Sequence, residues 1–246
     1  MTLALFNQIS GDSSALNALE GSTVYVTNNR GIIPSSSNTT QLHVIPTMNF
    51  TSEATLERAI SQKLIPTGIK AILYDNEDWS QTPVDERLNP IEHYRLAANL
   101  AHANHYQFVA TPGWIPGYHG IITPGMTVRP SAATILPAIA SGADVVDIQA
   151  QKYTLESNLS AYLSWIEPIA KSIRAANPKA IIISGISTNP LGGTVDASQL
   201  AAIAKRSESI VQGWWLNVPT PSAKRTGAPL YALGEQFLSE LTASHS

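Results

Sequence analysis

Apolar positions along the chain fall into short runs separated by longer amphipathic stretches. STVYVTN (22–28), LHVIPTM (42–48), KAILYDNE (70–77), YQFVATP (106–112), ADVVDIQAQ (143–151), AIIISGIS (180–187) and GWWLNVP (213–219) are rich in β-branched residues. Each is bounded by Gly, Pro, Asn or Asp, so each reads as a strand, mostly buried on both faces. Helical spacing lies between them. TSEATLERAISQKL places Leu56, Ile60 and Leu64 four apart, and NPIEHYRLAANLAHAN opens with Asn89 as an N-cap and Pro90 at the first helical position. LESNLSAYLSWIEPIAKSIRAAN is long and amphipathic with a kink expected at Pro168, DASQLAAIAKRSESI starts on the capping residue Asp196, and LYALGEQFLSELTAS closes the chain.

Repeated strand–helix order predicts a parallel sheet. With 246 residues and no internal repeat or linker, the chain reads as a single (β/α) TIM-type barrel domain spanning residues 1–246, with one unit irregular or missing. The irregular place is residues 29–42, NRGIIPSSSNTTQL, which join two strands without a helical pattern; residues 2–9 are a candidate for an additional strand. An open doubly wound sheet is the alternative. No Gly-rich phosphate loop follows a strand, which disfavours both that fold and a nucleotide cofactor.

Composition narrows the function. Charged residues make up 13% and the net charge is −3, so no electrostatic footprint for nucleic acid or an anionic membrane is visible. There are no cysteines, which excludes thiolate nucleophiles, disulfides and Cys-ligated zinc. No apolar run approaches the ~18 residues of a membrane span. MTLALFNQIS lacks the basic and apolar regions of a signal peptide. As written the chain therefore reads as cytoplasmic, or as exported if a signal was removed; the compartment and the oligomeric state stay open. His43, His93, His102, His105 and His245 show no metal-site spacing, and no Gly-x-Ser-x-Gly elbow exists. No metal and no cofactor are expected.

Candidate chemistry sits at the strand ends. In a parallel barrel these ends build the active site, and strand side chains alternate between faces. Taking Leu73, Asp75 and Glu77 as the inward face sends Ile72, Tyr74 and Asn76 toward the helices. The same reasoning turns Asp147, Gln149 and Gln151 inward from the fifth strand, and Trp215 with Asn217 from the seventh. Thr47 or Met48, followed by Asn49, reach the mouth from the second strand; Thr27, Asn28 and Asn29 end the first, and Thr111 ends the fourth. Asp75 and Glu77 lie about 6–7 Å apart along the backbone and point the same way. Close carboxylates resist ionising together, so such a pair can supply a general acid and a neighbour that tunes it. In the competing reading, Asp75 accepts backbone N–H groups while Glu77 and Asp78 are solvated or cap the next turn.

Two loops flank this ring. In WSQTPVDERLNP (79–90), Trp79 either stacks on a ligand or plugs the barrel top, and Glu86 with Arg87 reads as a solvated helix entrance. PGWIPGYHGIITPGMTVRP (112–130) is the longest irregular segment and reads as a lid or as a rigid packing loop; Trp114 supplies an apolar wall and His119 a titratable group.

The order Asp75-Asn76-Glu77, RLAANLAHAN, VATPG, VVDIQAQKY, ISGIS, VDASQLAAI and GWWLNVP resembles that of the chitinase-type glycoside hydrolases and their non-catalytic relatives, over about residues 68–219. The resemblance implies Glu77 as proton donor to a glycosidic oxygen and Asp75 as the residue that stabilises a substrate N-acetyl group acting as internal nucleophile. Lys70 and Leu73 stand where that family's ladder is acidic; Gln151 stands at its tyrosine and Asn217 near its tryptophan.

The favoured reading is a barrel enzyme with Asp75 and Glu77 as an acid/base pair acting on a small-molecule or oligosaccharide ligand. Asn49, Trp79, Trp114, His119, Asp147, Gln149, Gln151, Trp215 and Asn217 would bind it. A lyase, isomerase or cyclase acting on an apolar metabolite, and a non-catalytic carbohydrate-binding barrel, are the alternatives.

Overall fold

Among the described residues, seven parallel strands pair in chain order, each with its sequence neighbour, in one sheet. They are β1 (Thr23–Asn28), β2 (His43–Phe50), β3 (Ala71–Tyr74), β4 (Gln107–Ala110), β5 (Val145–Ile148), β6 (Ile181–Ser187) and β7 (Gly213–Asn217), one at each run read as a strand, with β2 extending two residues past the 42–48 expected for it. The structure, a computed structural model, describes residues 1–35, 42–77, 79–113, 132–154, 159–190, 193–218 and 231–242.

Alternation sorts the strand side chains into two cores. Val26, Phe50, Ile72, Tyr74, Phe108, Val146, Ile182 and Leu216 pack outward against helices. Ile45, Ala71, Leu73, Val109 and Val145 form a second, smaller cluster on the other face, joined by Tyr25, Ile183 and Trp215. Strands β1 to β7 all contribute to that small cluster, which a flat sheet would not allow; the sheet curls around it. Across the curl, the Tyr25 hydroxyl donates to Oε1 of Gln107 at 3.1 Å, linking β1 to β4. The architecture is thus a curled parallel α/β sheet of the TIM-barrel type. The expected TIM-type barrel, with one unit irregular or missing, is present as this curled sheet; among the described residues no ladder joins β7 to β1. The free side of β1 instead meets residues 1–2, through a Thr2–Thr27 bridge.

The helices alternate with the strands. α1 (Leu3–Ile9) and α2 (Ser13–Ala18) precede β1, capped by the side chains of Thr2 and Asp12. Residues 3–9 therefore form a helix, and of the additional strand considered above only the Thr2 bridge is present: Leu5, Phe6 and Ile9 are buried at helical spacing. α3 (Glu53–Ser61) is capped by Ser52; Leu56 is buried in it, but Leu64 lies past its end and is exposed. α4 (Val84–Leu88) interrupts the segment read as a loop. α5 (Pro90–Ala103) begins at Pro90 as expected, yet Asn89 makes no capping bond and donates instead to the Asp85 carbonyl. α6 (Ala132–Ala140), α7 (Leu159–Ala176), α8 (Ala197–Ser207) and α9 (Tyr231–Thr242) complete the set. Pro168 lies inside α7 without ending it, and Asp196 caps α8 by accepting from the Gln199 N–H at 2.8 Å.

Candidate active site at the strand ends

β3 ends at Tyr74, but its ladder does not. The Asp75 N–H donates to the Phe50 carbonyl, and the Gly113 N–H donates to that of Asn76. The extended backbone carries the alternation past the strand, so Asp75 and Glu77 share the inner face with Leu73 while Asn76 is buried on the helix side. Registers from β3 to β5 pair Leu73 with Val109 and Val109 with Val145. Two residues on, Asp75, Thr111 and Asp147 therefore form one row across three strands.

Thr111 joins the row chemically. Its Oγ1 lies 3.0 Å from Oδ1 of Asp75 and 3.2 Å from the Tyr74 carbonyl. One hydroxyl hydrogen serves only one of these at a time. Thr111 donates to an ionised Asp75; when Asp75 is protonated it can donate to Thr111, which then turns to the carbonyl. Asp75 is pushed up to about 8, first by burial and then by the Glu77 carboxylate, with Thr111 pulling the other way. Burial also raises Glu77. Among the described residues no backbone N–H holds Asp75, unlike the structural alternative raised from the sequence.

Asp147 sits deeper. It is fully buried, and neither carboxylate oxygen has a hydrogen-bond partner. Burial raises it well above the usual carboxylate range, reinforced by Asp75 and Glu77 and opposed by the Met1 amino group. That amine donates to the Tyr25 carbonyl, and burial lowers it to about 5.

The remaining candidates divide. Gln149, Trp215 and Asn217 are half-buried, and Trp215 packs on the inner apolar cluster. Gln151 lies across β6: a Cβ on Gly185 would come within 2.4 Å of its amide carbon. Of the two options on β2, Thr47 turns toward the inner side, its hydroxyl donating to the Ile45 carbonyl; Met48 packs against the outer core. The inward Asn49 has a buried Oδ1 without a partner. Trp79 lies apart from the carboxylate row. Its indole donates to Thr82, and together with Asn49, Met48 and Arg58 it lines a half-open cavity of about 550 Å³ beside α3. Trp114, His119 and Asp78 fall outside the described residues.

Glu86 corrects the sequence reading. It is 1% exposed, not solvated. Its carboxylate accepts from the Ser52 hydroxyl at 2.8 Å, the N–H groups of Glu53 and Ala54, and the Tyr74 hydroxyl at 2.6 Å. Arg87 beside it is half-buried. Glu86, Glu53 and His93 bring their ligand atoms within 4.8 Å of one another, from three separate segments that no local spacing connects. Glu86 spends its oxygens on the cap of α3, which accounts for the cluster without an ion.

Gly113 is the close neighbour of Glu77. A Cβ there would stand 2.3 Å from its Cγ and 2.6 Å from its Oε1. Gly113→Ala is therefore expected to displace Glu77 while leaving the fold intact. The thermal midpoint should stay within a few degrees while turnover of a processed ligand falls by about tenfold to a hundredfold. Unchanged turnover would mean that the position of Glu77 does not matter.

Comparison with protein-family models found no match, and comparison with curated protein sequences found none either. Solved structures do resemble the chain. A chitinase from Chromobacterium violaceum aligns at 12% identity with a TM-score of 0.52, over 99% of this chain and 95% of its own. A sugar phosphate isomerase/epimerase from Parabacteroides distasonis aligns at 12% identity and TM-score 0.49, over 99% and 95%. A curdlan-specific exo-beta-1,3-glucanase from Blastomyces gilchristii aligns at 11% and 0.49, over 92% and 94%. The resemblance to the chitinase barrel is distant and is one of fold.

Proposed function

We propose that the chain is a carbohydrate-acting enzyme of glycoside-hydrolase type, with Glu77 as general acid and Asp75 as the partner that tunes it. The observation that carries this reading is the pair itself: two carboxyls on one inner face, one bonded to a threonine hydroxyl and raised to about 8. Glu77 is the outer of the two and nearer the mouth, so it is the one to protonate a leaving oxygen. Asp75, pushed up to about 8 by burial and by the Glu77 carboxylate, shares one proton with Glu77 as a pair, and Thr111 accommodates either state of Asp75 as that proton passes to Glu77. Gln149, Gln151, Asn217 and Asn49 surround the mouth with amides suited to hydroxyl groups, and Trp215 offers a ring face.

The test is a pH–rate comparison of wild type and Asp75→Asn on a panel of chito-oligosaccharides, β-glucan oligomers and apolar metabolites. The acid must hold its proton to act, and a neighbouring negative charge raises its affinity for that proton. Removing the charge should move the alkaline limb of the profile to lower pH by about one unit or more. An alkaline limb that stays in place in a folded variant would sink the paired-acid mechanism.

A further inference from the structure

Among the described residues, the three carboxyls of the mouth receive one donor, the Thr111 hydroxyl on Asp75. Asp75, Glu77 and Asp147 face inward, and Asp147 is fully buried with both oxygens unpartnered. Oδ1 of Asn49, on the same inner side, is a further buried acceptor with no donor. Among the described residues, no lysine, arginine or histidine pairs with any of the three carboxyls. Among the described residues the amine that acts on Asp147 is that of Met1, but burial lowers it to about 5 and its hydrogen bond goes to the Tyr25 carbonyl. Trp215 adds an aromatic face one step above the Asp147 row, because Gly213 pairs with Ile183 and Ile183 with Asp147.

Desolvated carboxyls without cations have two ways to lower their energy: they keep protons, or they receive a positive charge from outside. We propose that the ligand of this mouth is a sugar bearing a protonated amine, a free hexosamine or its oligomer, with the ammonium held by Asp75 and Glu77 in the field of the buried, unpartnered Asp147. An ammonium supplies donors to the groups that lack them and a charge to the carboxyls that repel each other. A neutral or N-acetylated sugar supplies only weak donors and leaves that repulsion in place. An indole face favours a cation over a neutral group in addition. This inference rests on the carbohydrate reading above and narrows it.

The experiment is calorimetric titration, at mildly acid pH, with three oligosaccharides of equal length: a fully deacetylated chito-oligomer, its fully acetylated counterpart and a neutral β-1,3-glucan. The deacetylated oligomer should bind at least about tenfold more tightly than either of the others, as expected where a charge is held by desolvated partners. The preference should collapse toward unity in Asp75→Asn, and in Glu77→Gln if the first variant fails to fold. Equal or tighter binding of the acetylated or neutral oligomer overturns the inference, as does an amino preference retained by both folded variants. Its failure is separable from that of the catalytic reading. An amino-oligomer that binds selectively but is never cleaved upholds this inference and removes the catalysis. A neutral glucan cleaved in a Glu77-dependent way without amino selectivity does the reverse.

Discussion

Glu77→Gln should reduce hydrolysis of whichever glycoside the wild type processes by about a hundredfold to ten-thousandfold, while affinity for a neutral ligand changes by no more than a fewfold. The amide keeps the shape and hydrogen-bonding reach of the carboxyl but has no proton to transfer. Among the described residues no hydrogen bond from another element holds this carboxyl, and its aliphatic stem rests over Gly113. The thermal midpoint should therefore hold or rise, because a desolvated acid has been replaced by a neutral group. Single-turnover rates and binding isotherms on the same preparation separate the two effects. A variant that binds and turns over like wild type would remove Glu77 from the chemistry. A wild type that binds sugars and cleaves none would leave a binding barrel.

Glu86→Ala should be the most destabilising substitution at this end of the molecule, by about 3–5 kcal/mol, or about 10 °C in thermal midpoint. The carboxylate ties four donors together: Ser52, which caps α3, two N–H groups of that helix's first turn, and the Tyr74 hydroxyl from β3. Asn76 closes the network by donating to the Glu86 carbonyl and to Tyr74. Truncation leaves buried donors without acceptors and opens a void beneath α3. Asn76 is fixed on the helix side by this network, and the alternation that aims Asp75 and Glu77 inward depends on it. Denaturant unfolding of Glu86→Ala against the exposed control Glu57→Ala checks the figure; equal midpoints would contradict the network's role.

Most of the scaffold was legible because strand signals here are local. Each β-branched run carries its own boundaries, and alternation along KAILYDNE and ADVVDIQAQ suffices to aim Asp75, Glu77 and Asp147 inward. What escaped depends on partners distant in sequence. Glu86 looks like any charged residue at a helix start until Ser52 and Tyr74 are brought to it from two other elements. The short helices α1, α2 and α4 carry too few turns for a periodicity to stand out, and their burial is decided by what packs over them. The depth of Asp147, and the orphaned state of its oxygens, follow from the curl of the sheet and not from any residue near it in the chain.

The glycines beneath the mouth have a consequence for ancestry. Glu77 lies over Gly113 of the neighbouring strand segment, and Gln151 lies over Gly185 in the same manner. Each long polar side chain occupies the volume that a methyl group would claim from the strand beside it. In descendants of this chain, the two members of each pair should change together: a larger residue at 113 or 185 is tolerated only where its counterpart has shortened. A lineage that keeps both glycines has kept the room for its acid and its amide. One that fills them has abandoned this arrangement of the mouth, whatever carboxylates its strand ends still display.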